Sequence, residues 1–272
     1  MYAFQFYHYS RDRVASNHFH DGFELFLPVT GGGHLFIQDT CYSLQKGVLY
    51  CIKPFELHHC FCKEEDETDR YVLYMPMETL EGMSTSATDF INVFQDSPRC
   101  SVLGENSMKR FQLFEQELER TGNRDFGDDV KRQLFFQSFV LTIARWMRSK
   151  ESGEIVAHSE DSKRIVPILR YIHKNIAGNL SLETISHEFY LSKSRLNQIF
   201  KSSTGFSVGE YIITCRIKRA CILLKSNIPI QEISSATGFG DPTHFNRTFK
   251  KRMGVTPGAY QKTAIKNLKP EI

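Results

Sequence analysis

The chain has 272 residues, 41% of them hydrophobic and 24% charged, which suits one large domain or two ordinary ones and argues against wholesale disorder. No run of about 18 apolar residues is present, so no segment is expected to span a bilayer, and the opening MYAFQFYHYSRDR has neither the basic start nor the apolar stretch of a secretory leader. The net charge of +3 hides a split: from Glu160 onward 18 Lys and Arg stand against 8 Asp and Glu, a balance of +10, whereas the part before it carries −7, which points to a polyanion as the partner of the C-terminal part.

In chain order, residues 1–75 read as strands. FELFLPV, GGGHLFIQ, TCYSL, GVLYCI and RYVLYMPM are short aromatic and branched runs broken by glycine and proline, the pattern of a sandwich or small barrel. The stretch YAFQFYHY at 2–9 is expected either to fold over the mouth of that sandwich or to pack as an edge strand. From about residue 104 the period becomes helical. Phe111, Leu113, Phe114 and Leu118, then Val130, Leu134, Phe135, Phe139, Ile143 and Met147, predict two helices. The second, over about 126–149, is apolar on more than one face and is expected to cover the sandwich or to meet another copy of itself. KESGEIVAHSEDSK at 150–163 is the best linker candidate. The chain is thus divided into 1–150, a linker at 151–162, and 163–272. Cys41, Cys51, Cys60, Cys62, Cys100, Cys215 and Cys221 form an odd set without a C-x-x-C pair. They read as free, mostly buried thiols in a reducing cytosol, so a cytoplasmic location is expected.

Everything beyond the linker reads as helix. Ile165, Ile168, Leu169, Ile172 and Ile176 mark the first, stopped by Gly178-Asn179. Ser181 and Ser192 are placed to cap the next two, the latter ending at Gly205. Ser207 opens a long helix to about Lys225, which Asn227-Ile228-Pro229 stops. A short helix at 230–237, a Gly238-Phe239-Gly240 turn, a helix capped by Asp241 with Pro242 at its first position, and a last helix after Thr256-Pro257 follow.

Within this stretch one pattern occurs twice. NQIFKSSTGFSVGEY at 197–211 and NRTFKKRMGVTPGAY at 246–260 share six of fifteen positions. Each copy is a short helix, a tight turn and a second helix ending at glycine, the layout of a helix-turn-helix whose second helix enters the major groove. Opposite the apolar faces of the second helices stand Ser194, Arg195, Asn197 and Gln198 in one copy, and Thr243, His244, Asn246 and Arg247 in the other. Asn, Gln and Arg side chains make bidentate contacts to base edges. Lys201, Lys250, Lys251 and Arg252 suit phosphates, which give affinity without sequence information. The connecting helix, of about 19 residues, would run about 28 Å, long enough to set two recognition helices into successive major-groove faces about 34 Å apart.

Residues 163–265, with the closing stretch TGFGDPTHFNRTFKKRMGVTPGAYQK, resemble the DNA-binding domain of the AraC/XylS family of bacterial transcription regulators. The resemblance implies seven helices, two helix-turn-helix units and a bent DNA site. It places Ser194, Asn197 and Gln198, and Thr243, Asn246 and Arg247, at base-facing positions. Pro242 stands where some relatives have a polar residue. The N-terminal half is similar to the cupin sensor often fused to this module, on His18-x-His20-x3-Glu24, Gly31, Gly47 and His58. Lys53, Phe55 and Cys62 depart from that domain's second motif.

The implied fold is an N-terminal β-sandwich or jelly roll with accessory helices and an all-α C-terminal domain of about seven helices. His18 and His20, two apart on an expected strand, would share a face with Glu24, and His58 or His59 would close the group. Three histidines and a carboxylate suit Zn, Fe or Mn; the same four residues equally suit the lining of an effector pocket, or structural roles. The preferred reading assigns no cofactor and no catalytic residue. It is a homodimeric activator that binds double-stranded DNA, answers to a small molecule such as a sugar in the N-terminal domain, and works with RNA polymerase. The alternatives are a cupin metalloenzyme or metal sensor fused to a DNA-binding domain, and a ligand-independent architectural DNA binder.

Overall fold

A computed structural model describes residues 2–12, 18–61, 68–102, 105–121, 125–148, 160–226 and 228–267. The chain divides into two compact units, Met1–Ser159 and Glu160–Ile272. The expected linker lies largely outside the described residues, as does Cys62. Residues 160–162, expected in the linker, already belong to a helix.

The first unit contains β1 (Gln5–Asp12), β2 (Phe23–Pro28), β3 (His34–Ile37), β4 (Thr40–Ser43), β5 (Val48–Ile52), β6 (His58–Phe61), β7 (Thr68–Met75) and β8 (Cys100–Val102). They form an antiparallel five-stranded sheet ordered β1-β7-β2-β5-β8 and a three-stranded sheet ordered β4-β3-β6. Strand alternation explains the two cores. Leu25, Leu27, Leu73 and Met75 join the helical side, while Phe26, Val72, Tyr50 and Ile52 join a cluster with Leu35 and Ile37 of the smaller sheet. The inner strands β2, β5 and β7 therefore bury both faces. The aromatic stretch at 2–9 runs into β1, which packs as an edge strand on β7 alone.

The helices α3 (Glu105–Arg120) and α4 (Asp128–Arg148) fall where periodicity placed them. On α4, Phe136, Phe139, Val140, Ile143, Ala144 and Met147 are buried, a stripe at three- and four-residue spacing that covers the sheet. Val130 and Leu134 of α4 and Leu113 of α3 remain exposed. The sequence reading did not assign α1 (Met77–Met83), α2 (Phe90–Asp96) or β8.

Among the described residues the second unit has seven helices, α5 (Glu160–Lys174), α6 (Leu182–Glu188), α7 (Lys193–Thr204), α8 (Val208–Leu224), α9 (Ile230–Ala236), α10 (Pro242–Met253) and α11 (Pro257–Asn267). Local chemistry fixes nearly every boundary. The Ser181, Ser192 and Ser207 hydroxyls accept from the amides of Thr184, Arg195 and Glu210, three residues on, which satisfies orphan donors at the helix starts. Asp241 accepts from the amides of both Thr243 and His244. Gly205 and Gly254 end α7 and α10 at φ +77° and +76°, a left-handed conformation that glycine adopts without steric cost. The connecting helix α8 has 17 residues, two fewer than expected, and so is about 25 Å long.

Candidate DNA-reading helices and effector cup

In the second unit, α6–α7 and α9–α10 are two helix-turn-helix units. Leu196 and Phe200 of α7, and Phe245 and Phe249 of α10, are fully buried. They pin one face of each recognition helix, and burial of each such side chain contributes about 1.5–3 kcal/mol. The opposite faces are open. Ser194, Arg195 and Gln198 are exposed on α7, as are Thr243, His244, Asn246 and Arg247 on α10. The Arg195 guanidinium donates to Gln198 Oε1 at 3.0 Å, so these two exposed side chains are held together.

Asn197 is the exception. It is half-buried, and its Oδ1 accepts from the Val208 amide at 3.5 Å, fastening α7 to α8. Asn246 donates to the Pro242 carbonyl at 3.0 Å on its own helix. Lys201, Lys250, Lys251 and Arg252 are all exposed, the state a phosphate contact needs.

The first unit contains a cup of about 640 Å³. Gln5, Tyr7 and Tyr9 of β1 line it from one side, and Arg70, Val72 and Tyr74 of β7 continue the wall. His18, His20, Glu24 and His58 converge at its edge, with ligand-type atoms all within 4.8 Å of one another. His58, not His59, closes the group. His18 and His20 do not lie on a strand as expected. His18 forms an isolated bridge with His58, and residues 19–22 are a bend that returns the chain to β2. A Cβ at Gly22 would collide with the Met75 carbonyl, so this bend needs glycine for its close approach to β7.

The geometry of the cluster is specific. His20 Nδ1 donates to the Gly22 carbonyl and His58 Nδ1 to the Glu56 carbonyl, each at 2.9 Å. Those bonds turn both Nε2 atoms inward. His20 Nε2 lies 3.2 Å from Glu24 Oε2, and His58 Nε2 lies 3.1 Å from His18 Nε2. Burial pushes His58 down to about 3, against the opposing pull of Glu24, so its imidazole is neutral at physiological pH. Burial opposes ionisation of Glu24, yet His58 and His20 beside it hold its carboxyl below the ordinary carboxylate range. Three imidazoles and one carboxylate converging in this way can bind a divalent cation or the hydroxyls of an organic ligand.

Arg70 and Tyr74 are cup residues that the sequence reading missed. Arg70 is 2% exposed, donates to Thr68 Oγ1 at 2.7 Å and lies 4.6 Å from the centre of the Tyr9 ring. The signal was present in RYVLYM, where alternate residues Arg70, Val72 and Tyr74 share a face.

The chain matches two family descriptions. Residues 3–140 match the AraC-like ligand binding domain and residues 185–263 a helix-turn-helix domain. Among curated proteins it is 24% identical over 254 residues to YfiF of Bacillus subtilis, an uncharacterized HTH-type transcriptional regulator, covering 90% of this chain and 78% of that one. It is also 24% identical over 254 residues to the HTH-type transcriptional activator RhaR of Salmonella dublin, covering 91% and 87%. To the Msm operon regulatory protein of Streptococcus mutans it is 32% identical over 118 residues, covering 41% and 42%.

Proposed function

The chain belongs to the AraC/XylS family of transcription regulators, and from that premise we propose that a small organic molecule in the cup governs how a dimer engages DNA through α7 and α10. The chain acts by binding, with no catalytic step. The observation that carries this reading is a 640 Å³ cup, polar at its edge and aromatic along its wall, in the unit that does not carry the recognition helices. A sugar fits such a lining, since ring faces stack on tyrosines and hydroxyls pair with His, Glu and Arg. The partner copy would meet α3 and α4, where Leu113, Val130 and Leu134 are exposed. Activation would follow from delivering RNA polymerase to the bound site. Coupling requires the effector to bind two arrangements with different affinity.

Selection of bound sequences from random DNA by the full chain, repeated with a panel of sugars, tests the reading. One recovered sequence whose affinity a sugar changes supports it. Binding without sequence preference overturns it.

The four-residue cluster favours a second reading, a metal-responsive regulator. Two of the three imidazoles have Nδ1 committed to a carbonyl, the arrangement that orients metal-ligating histidines. Their Nε2 atoms lie 3.2 and 3.8 Å from the Glu24 carboxylate oxygens, and imidazole nitrogen with carboxylate oxygen is a donor set that zinc takes. A bound cation would supply Lewis acidity at the cup edge. Stoichiometric zinc uptake by the chain, abolished in His20→Ala, would establish the metal reading; absence of uptake would leave the organic effector alone.

A further inference from the structure

Arg216 sits midway along α8, the helix connecting the two helix-turn-helix units. Its side chain is half-buried and reaches back to the end of α5. Nε donates to the Ile176 carbonyl at 3.1 Å and Nη2 to the Gly178 carbonyl at 2.8 Å. These belong to the turn that closes α5 and leads into α6, the first helix of the first helix-turn-helix. A helix C-terminus offers carbonyls that its own ladder leaves unpaired, and a guanidinium is suited to them in both charge and geometry.

The second unit comes to the same place. The Arg216 guanidinium lies 6.0 Å from the centre of the Phe239 ring, in the turn between α9 and α10. That ring packs on His244 and Phe245 of the recognition helix, with centroids at 5.5 and 5.3 Å. Gly238, at φ +85°, brings the turn's backbone so close that a Cβ there would stand 2.6 Å from the Ile176 carbonyl oxygen and 3.0 Å from Arg216 Nε. One guanidinium therefore joins the end of α5, the connecting helix and the turn that aims α10. The corresponding position of the first helix-turn-helix, Tyr190, is 94% exposed, so that residue makes no such close approach.

We propose that Arg216 is a positioning residue that fixes α10 relative to α7 and thereby sets the spacing of the two DNA stretches the chain reads. The proposal rests on the reading that both helices contact bases. A lysine keeps the charge but loses the planar fork that spans two carbonyls. Loosening the clamp leaves each recognition helix intact and frees the distance between them.

The test uses the full chain and DNA recovered by wild type from random sequence. That DNA is remade with the two contacted stretches one base pair closer or farther apart, and with one stretch scrambled. Wild type should lose about tenfold or more on respaced DNA, the scale of one lost bidentate base contact. Arg216→Lys and Arg216→Gln should bind the original DNA about tenfold more weakly, bind respaced DNA no worse than the original, and match wild type on scrambled DNA. Gly238→Ala, which presses on the same node while keeping the arginine, should also blunt the spacing preference. Retained spacing preference in both arginine variants overturns the proposal. So does equal weakening on every DNA, or a salt slope reduced by about one in Arg216→Gln and kept in Arg216→Lys, which marks a phosphate contact. Recovery of no preferred sequence by wild type would instead remove the two-helix reading itself, and the proposal with it.

Discussion

The two helix-turn-helix units carry one pattern and use it differently. Their recognition helices are 12 residues each, end at left-handed glycines and bury two residues at matched positions. Their turns share hydrogen bonds: the amides of Tyr190 and Gly238 donate to His187 and Ser235, and those of Leu191 and Phe239 to Ser186 and Ser234. Yet Tyr190 takes φ +52° in the open, whereas Gly238 takes +85° against the end of α5. The second turn also has an extra residue, Gly240, before its cap, and that cap is an aspartate where the first has serine. Repetition specifies the helices; the surroundings of each copy specify the turn and hence the rigidity of the helix that follows.

That contrast can be broken most forcefully at the turns. Gly238→Ala should destabilise the chain by about 2–3 kcal/mol, from left-handed strain plus collision with the Ile176 carbonyl. Tyr190→Gly should stabilise it by up to about 1 kcal/mol, because only strain is relieved. Urea unfolding of the two variants reads both; similar effects would mean that the turns are equivalent after all.

The next largest difference is expected at the bases. Arg247→Ala and Arg195→Ala should each cost about 1–3 kcal/mol and relax preference at different base positions. Uniform weakening across sequences by either would reassign that arginine to phosphate. Lys251→Ala should weaken binding to all sequences alike and reduce the salt slope by about one, as titrations at several salt concentrations would show.

The smallest effect is at the caps. Hydrogen bonds from the Thr243 and His244 amides hold Asp241 below the ordinary aspartate value of 3.8. A depressed carboxylate pKa means that the cap is complete above the ordinary value and is lost as pH falls through the folded one. Acidification below pH 3.8 should therefore fray the start of α10 in wild type more than in Asp241→Asn, and spare α7, whose Ser192 cap does not titrate. Amide exchange at Thr243 and Arg195 distinguishes the two ends.

The second unit was legible because its signals are local. Ser192, Ser207, Asp241, Gly205 and Gly254 each act within four residues, and a single sequence displays them. The first unit was legible in class but not in detail. α1 and α2 have seven residues each, as do α6 and α9, but no repeated pattern marks them, and Pro76 before α1 offers no side-chain cap. The four residues grouped from the sequence do converge, yet their geometry depends on His58 bridging to His18 across 40 residues, which no local strand pattern encodes. Arg216 had no sequence signal of its own. It is one of two arginines on α8, and its partners lie 38 and 40 residues away.

The six described cysteines are all buried, four in the first unit and Cys215 and Cys221 in the second. Burial pushes Cys51 and Cys215 up to about 12, so at neutral pH they are almost entirely protonated and inert toward alkylating reagents. Each becomes reactive only when its surroundings open. The molecule thus contains its own stopwatch: iodoacetamide labelling, counted peptide by peptide, would time the opening of each unit separately, and Cys60, in the cup wall, would slow its own clock whenever the cup is filled.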